Sequence, residues 1–77
     1  MRIVEQIPHP DFRLLIYATD NQFIVEIEAG PMRQAYRFSK ERFPTVEAVK
    51  SCIQSEWIEA VRGHFNGMYV DWKKTWE

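Results

Sequence analysis

One cysteine, three glycines and four prolines among 77 residues leave little material for the architectures that depend on those residue types. With Cys52 alone, an intrachain disulfide is impossible and a cysteine-based zinc centre cannot be assembled. Small secreted domains commonly rely on such staples, so the composition points away from an oxidising compartment. The scarcity of glycine and proline excludes collagen-like and low-complexity chains. Excess charge of either sign is missing too: ten Lys and Arg stand against eleven Asp and Glu, for a net charge of −1. Strong non-specific attraction to nucleic acid or to an anionic membrane requires a basic surplus that is not there. No apolar run approaches the length of about 18 residues that a membrane-spanning helix needs. The opening MRIVEQIPHP lacks the continuous apolar stretch of a signal peptide. The expected setting is therefore cytoplasmic, with no membrane partner.

Motifs that carry chemistry are equally scarce. His9 and His64 lie far apart, with no third ligand at metal spacing near either. Ser39, Ser51 and Ser55 do not stand in a nucleophile elbow. Cys52 sits beside Ile53 with no basic neighbour to lower its pKa, which fits an inert, buried thiol. Glu26 and Glu28 are spaced for the same face of a strand and resemble paired carboxylates. Arg13 and Arg33 are expected to flank Glu28, however, which favours its ionised form and a solvated charge ladder over a proton donor. No catalytic residue, metal site, cofactor or small-molecule ligand is inferred, and the chain is expected not to be an enzyme.

What the chain does contain is apolar and aromatic surface: 45% hydrophobic residues and 14% aromatics, including three tryptophans. That is enough for one small globular domain over residues 1–77, near the size at which a single core only just suffices. The organising stretch is Phe12–Phe38, which reads as a three-stranded antiparallel meander (about 12–19, 22–29 and 32–38). A two-residue loop at Asp20-Asn21, residues tolerant of left-handed backbone, puts Ala18, Ile16, Leu14 and Phe12 opposite Phe23, Val25, Ile27 and Ala29. A second loop at Gly30-Pro31, with positive φ at the glycine, puts Ala29, Ile27, Val25 and Phe23 opposite Met32, Gln34, Tyr36 and Phe38. One face is then apolar across three strands with Gln34 as its single polar member, and a one-residue slip would scramble it.

The same registers define the opposite face. Arg13, Glu28 and Arg33 form one row, Leu15, Glu26 and Ala35 the next, and Tyr17, Ile24 and Arg37 the third. Residues 2–7 alternate roughly as an edge strand beside 12–19, ended by Pro8-His9-Pro10; their register is not determined by the sequence. Thr45 to about Phe65 reads as one long helix, with Thr45 as N-cap and Asn66-Gly67 as stop. Its apolar stripe is Val46, Val49, Ile53, Trp57, Ala60, Val61 and Phe65. The last stretch, MYVDWKKTWE, is aromatic and ambiguous: Met68, Tyr69, Trp72 and Trp76 make a stripe if it is helical, Met68, Val70 and Trp72 alternate if it is a strand, and a short second helix or turn is the preferred reading.

The expected fold is α+β: a two-layer domain with an antiparallel sheet of three or four strands packed on one long helix, followed by a short C-terminal aromatic segment. The expected function is that of a non-enzymatic protein-interaction or self-association module, acting on a protein partner or as a homodimer. Its interaction patch would be Tyr17, Ile24, Arg37, Trp72 and Trp76, because surplus apolar surface rimmed by arginine suits an interface. The alternative is nucleic-acid binding through the outer face of the sheet, with Arg13, Arg33, Arg37, Lys40 and Arg42 on phosphates. Glu26 and Glu28 in the middle of that face argue against it.

Overall fold

The structure, a computed structural model, describes residues 2–76. Four strands, β1 (Arg2–Ile7), β2 (Arg13–Ala18), β3 (Gln22–Ala29) and β4 (Met32–Ser39), precede two helices, α1 (Val46–Lys50) and α2 (Ser55–Lys73). The strands form one antiparallel sheet in the order β1-β2-β3-β4, and the helices cover one of its faces. The α+β class and the sheet-on-helix arrangement are those expected from the sequence.

Both hairpin registers follow the hydrophobic pattern. Leu14, Ile16 and Ala18 pair with Ile27, Val25 and Phe23, and these last three pair with Gln34, Tyr36 and Phe38. Leu14, Ile16, Phe23, Val25 and Ile27 are buried on this inner face together with Val49, Ile58, Val61 and Phe65 from the helices. Gln34, the polar exception, is used as a strut. Its Nε2 donates to the Val61 carbonyl of α2 at 3.1 Å, and its Oε1 accepts from the Tyr36 hydroxyl. A polar side chain on an otherwise apolar face thus satisfies itself across the two layers.

The two turns solve their geometry differently. Gly30 takes φ 59°, as the tight loop to Pro31 demands. Asp20-Asn21 does not use left-handed backbone, since among the described residues no position other than glycine has positive φ. The Thr19 hydroxyl takes over instead: the Gln22 amide donates to Thr19 Oγ1 at 3.1 Å while the Thr19 amide donates to the Gln22 carbonyl at 2.8 Å. β1 pairs with β2 through a bulge between Ile3 and Glu5. Ile3 lies opposite Tyr17 on the outer face, whereas Glu5 lies opposite Ile16 and Ile7 opposite Leu14. The bulge lets Val4 and Ile7 both pack against the core, which simple alternation could not provide.

The helical layer departs from a single helix over 45–65. Thr45 caps α1, its Oγ1 accepting from the Ala48 amide at 3.2 Å. The helix stops after one turn and a half, where the Ser51 hydroxyl and the Cys52 thiol both turn back to the Ala48 carbonyl, at 2.6 and 3.6 Å. Gln54 then opens α2 in extended backbone. This break changes the phase of the apolar stripe. Ile58, outside the stripe of an unbroken helix, is buried at 8% exposure, and Ala60, on that stripe, is exposed. Asn66-Gly67 does not stop the helix, and α2 runs on for 19 residues. Ile58, Val61, Phe65 and Met68 face the core at intervals of three and four, Trp72 continues the same spacing into solvent, and Gly67 keeps helical rather than left-handed backbone.

These conformations predict opposite outcomes for two alanine substitutions. Gly30→Ala, forced into left-handed backbone, lowers unfolding free energy by about 1–2 kcal/mol. Gly67→Ala, in helical backbone with open space around its Cα, leaves it unchanged or raises it by up to about 1 kcal/mol. Urea titration distinguishes the two; a destabilising Gly67→Ala would contradict the helix running through Asn66-Gly67.

Candidate interaction site

The path of α2 across the sheet decides which surfaces remain open. Trp57 meets Tyr36 edge-on with ring centroids 5.3 Å apart, Val61 meets Gln34, and Phe65 meets Phe12 at 5.5 Å. Four helical residues advance about 6 Å and two strand residues about 6.6 Å, so α2 and β4 run antiparallel in step. By Phe65 the helix is level with Met32, the first residue of β4. The sheet ends there and α2 does not. Its remaining eight residues extend about 12 Å past the level of Met32, with Met68 still packed against the core, in keeping with a longest molecular dimension of 44 Å.

The core-facing stripe continues along this overhang without a sheet to face. Met68 is half-buried, but Tyr69, Trp72 and Trp76 are 45%, 42% and 57% exposed. They pack on one another, Tyr69 to Trp72 at 6.0 Å and Trp72 to Trp76 edge-on at 5.6 Å. Each such ring offers some 150–250 Å² for burial, and roughly half of it is still in water.

The second open surface is the outer face of the sheet. Its third row is longer than the sequence showed, because the β1 bulge adds Ile3 to it: Ile3, Tyr17, Ile24 and Arg37 lie side by side across all four strands. Ile3 is 55% exposed. In the next row, Gln6, Leu15, Glu26 and Ala35 align, and Leu15 is only 3% exposed although it lies outside the inner core. A groove of about 620 Å³ runs between these rows, lined by Tyr17, Ile24, Glu26, Ala35, Tyr36 and Arg37.

The five residues expected to form one patch therefore fall on two surfaces. Tyr17, Ile24 and Arg37 share the outer face of the sheet. Trp72 and Trp76 project past its other end, on the layer behind it, and do not fold back over Tyr17 and Ile24. The charge ladder also differs from the expected pairing. Arg33 reaches diagonally to Glu26, with Nη1 and Oε1 3.5 Å apart, rather than pairing with Glu28 opposite it. The Glu26 side chain is 14% exposed, and its Oε1 is buried with no hydrogen-bond donor among the described residues.

The remaining polar residues hold the layers together. Glu5 Oε2 accepts from Lys50 Nζ at 2.8 Å, tying β1 to α1. Arg62 donates to Asp11 and Glu59, each at 2.8 Å, and lies over the Phe12 ring. His9 stacks on Phe12, and its Nδ1 accepts from the Asp11 amide at 3.1 Å. The described residues contain no group of three or more His, Cys, Asp or Glu arranged to hold a metal ion, and no helix among them is long and apolar enough to cross a membrane. Compared with models of protein families, with curated proteins and with solved structures, the chain matches none.

Hydrogen bonds from Lys50 and Arg62 hold the carboxyls of Glu5 and Asp11 below their ordinary values of 4.5 and 3.8. Carboxylates lowered in the folded state stabilise it above their unfolded pKa and lose that contribution as pH falls through the folded value. Lys50 and Arg62 are raised by the same bonds, so their share is lost only in strong alkali. A Glu5→Gln/Asp11→Asn variant is expected to be less stable than the parent chain at neutral pH. Followed by thermal unfolding, the gap should close as pH falls below the ordinary carboxyl values of 4.5 and 3.8 and through the lowered folded-state ones; a gap independent of pH would contradict these tethers.

Proposed function

We propose that the protein is a non-enzymatic protein-interaction module, acting in a cytoplasmic setting, whose principal contact element is the overhanging end of α2. The observation that carries this reading is the continuation of one helical stripe from core to solvent. Ile58, Val61 and Phe65 are buried by the sheet, and Tyr69, Trp72 and Trp76 on the same side are not. Isolated exposed apolar side chains are ordinary, but contiguous aromatic surface of this kind marks association sites. Aromatic anchors presented on a rigid helix lose little conformational freedom on binding, and tryptophan and tyrosine are favoured where binding energy concentrates.

The residues with potential chemistry support the same reading because their local roles are structural. His9 caps a turn and stacks on Phe12, the Cys52 thiol turns to a backbone carbonyl, and Asp11 and Glu59 are held by Arg62. Nucleic-acid binding by the outer face would place the phosphate backbone against Glu26, at the centre of that face, and nothing observed there favours it.

The double variant Trp72→Ala/Trp76→Ala tests the proposal. Both side chains are exposed, so the urea midpoint should correspond to a stability within about 0.5 kcal/mol of the parent chain. Partners that co-purify with the parent from native extract should be lost, with affinity reduced about tenfold or more. Undiminished capture by the double variant would overturn the assignment of the overhang.

A further inference from the structure

We infer that the outer face of the sheet is a homodimer interface, in which Arg37 of each copy meets Glu26 of the other. Three observations converge on a second copy of this chain as the occupant. The first is an under-compensated charge. Glu26 is nearly enclosed, and among the described residues its Oε1 has no hydrogen-bond donor and its one ion-pair partner, Arg33 Nη1, is 3.5 Å away. A carboxylate in so dry a position is costly unless further donors reach it, and Glu26 lines the same groove as Ile24 and Ala35. The second is a matching cation. Arg37 is exposed and makes no ion pair among the described residues. It lines the same groove, one strand and one row from Glu26.

The third is geometry. Strands lie about 4.8 Å apart and rows on one face about 6.8 Å apart. A two-fold axis lying in the plane between two facing sheets exchanges the Glu26 and Arg37 positions when it bisects the diagonal between them. That axis then runs across the third row between Tyr17 and Ile24, so each packs close to its own counterpart. One operation therefore satisfies both charges twice and buries the apolar row, which is the self-complementarity that an isologous interface requires. A partner of uniform charge could answer Glu26 or Arg37 but not both.

This inference deepens the reading of the protein as an association module, and its test separates the two surfaces. Light scattering over a concentration series up to about millimolar should show the parent chain passing from monomer to dimer. Arg37→Glu alters an exposed side chain and should weaken the dimer about tenfold or more by opposing two carboxylates. Glu26→Lys should do the same by opposing two cations. An equimolar mixture of the two variants restores both pairings, since one copy carries only cations at the two positions and the other only carboxylates, so dimers should reappear in the mixture alone. Far-UV circular dichroism verifies folding, and if Glu26→Lys fails to fold, Glu26→Gln should weaken the parent dimer in the same direction. The inference is overturned if the parent chain stays monomeric throughout, or if Arg37→Glu dimerises as well as the parent. It is also overturned if the dimer is lost in Trp72→Ala/Trp76→Ala but kept in Arg37→Glu, a result that would move the contact to the overhang and leave the proposed function standing.

Discussion

Everything in this fold depends on the contact between the inner face of β2 and β3 and the stripe of α2. Leu14, Ile16, Val25 and Ile27 are at most 1% exposed, and Val61 matches them from the helix. Each buried aliphatic side chain of this kind contributes about 1.5–3 kcal/mol relative to exposure, and Phe23, Val49, Ile58 and Phe65 complete the same core. The contact also constrains both outer surfaces. It fixes the registers that bring Tyr17, Ile24 and Arg37 into one row, and it fixes the rotation of α2 that aims Trp72 and Trp76 along the line of the core.

The sheet was legible in the sequence because two short loops and a period-two pattern specify it redundantly. A slip at either hairpin would turn Ile16 and Val25 to solvent and Arg13 and Glu26 inward, so the registers around Gly30 and Asp20-Asn21 have no close competitor. The edge strand was less legible. Its bulge adds one residue at a point that alternation cannot mark, and so the placement of Ile3 beside Tyr17 emerges only from the pairing itself. The helix break was hidden for a different reason. Ser51 and Cys52 are tolerated within helices, and the end of the turn shows only in the backbone, where the Cys52 and Ile53 amides donate to the Val49 and Lys50 carbonyls three residues back. The spacing of Ile58, Val61, Phe65, Met68 and Trp72 was present in the sequence. It is in register only with a helix that starts afresh at Ser55, and the local Asn66-Gly67 stop signal does not take effect because Gly67 keeps helical rather than left-handed backbone.

The two surfaces have different physical characters. The overhang is apolar and aromatic, with its polar groups to the side, and suits a partner that offers a hydrophobic groove. The outer face of the sheet mixes an apolar row with one exposed cation and one nearly enclosed carboxylate, and its demands are geometric as well as apolar. Because they lie on opposite layers and at opposite ends of the sheet, a contact at one does not obstruct the other. A module that pairs with itself through the sheet could hold two aromatic overhangs outward, doubling the valence of whatever they engage.

The central claim is that α2 outlasts the sheet that supports it. Amide hydrogen exchange along α2 in the isolated chain at low concentration tests this most directly. The amides near Val61 to Phe65 should exchange only through global unfolding, while those from Met68 to Lys73 should exchange far faster through local fraying. Uniform protection to Lys73 in the dilute chain would contradict the account, since it would mean that the aromatic stripe is already covered within a single molecule.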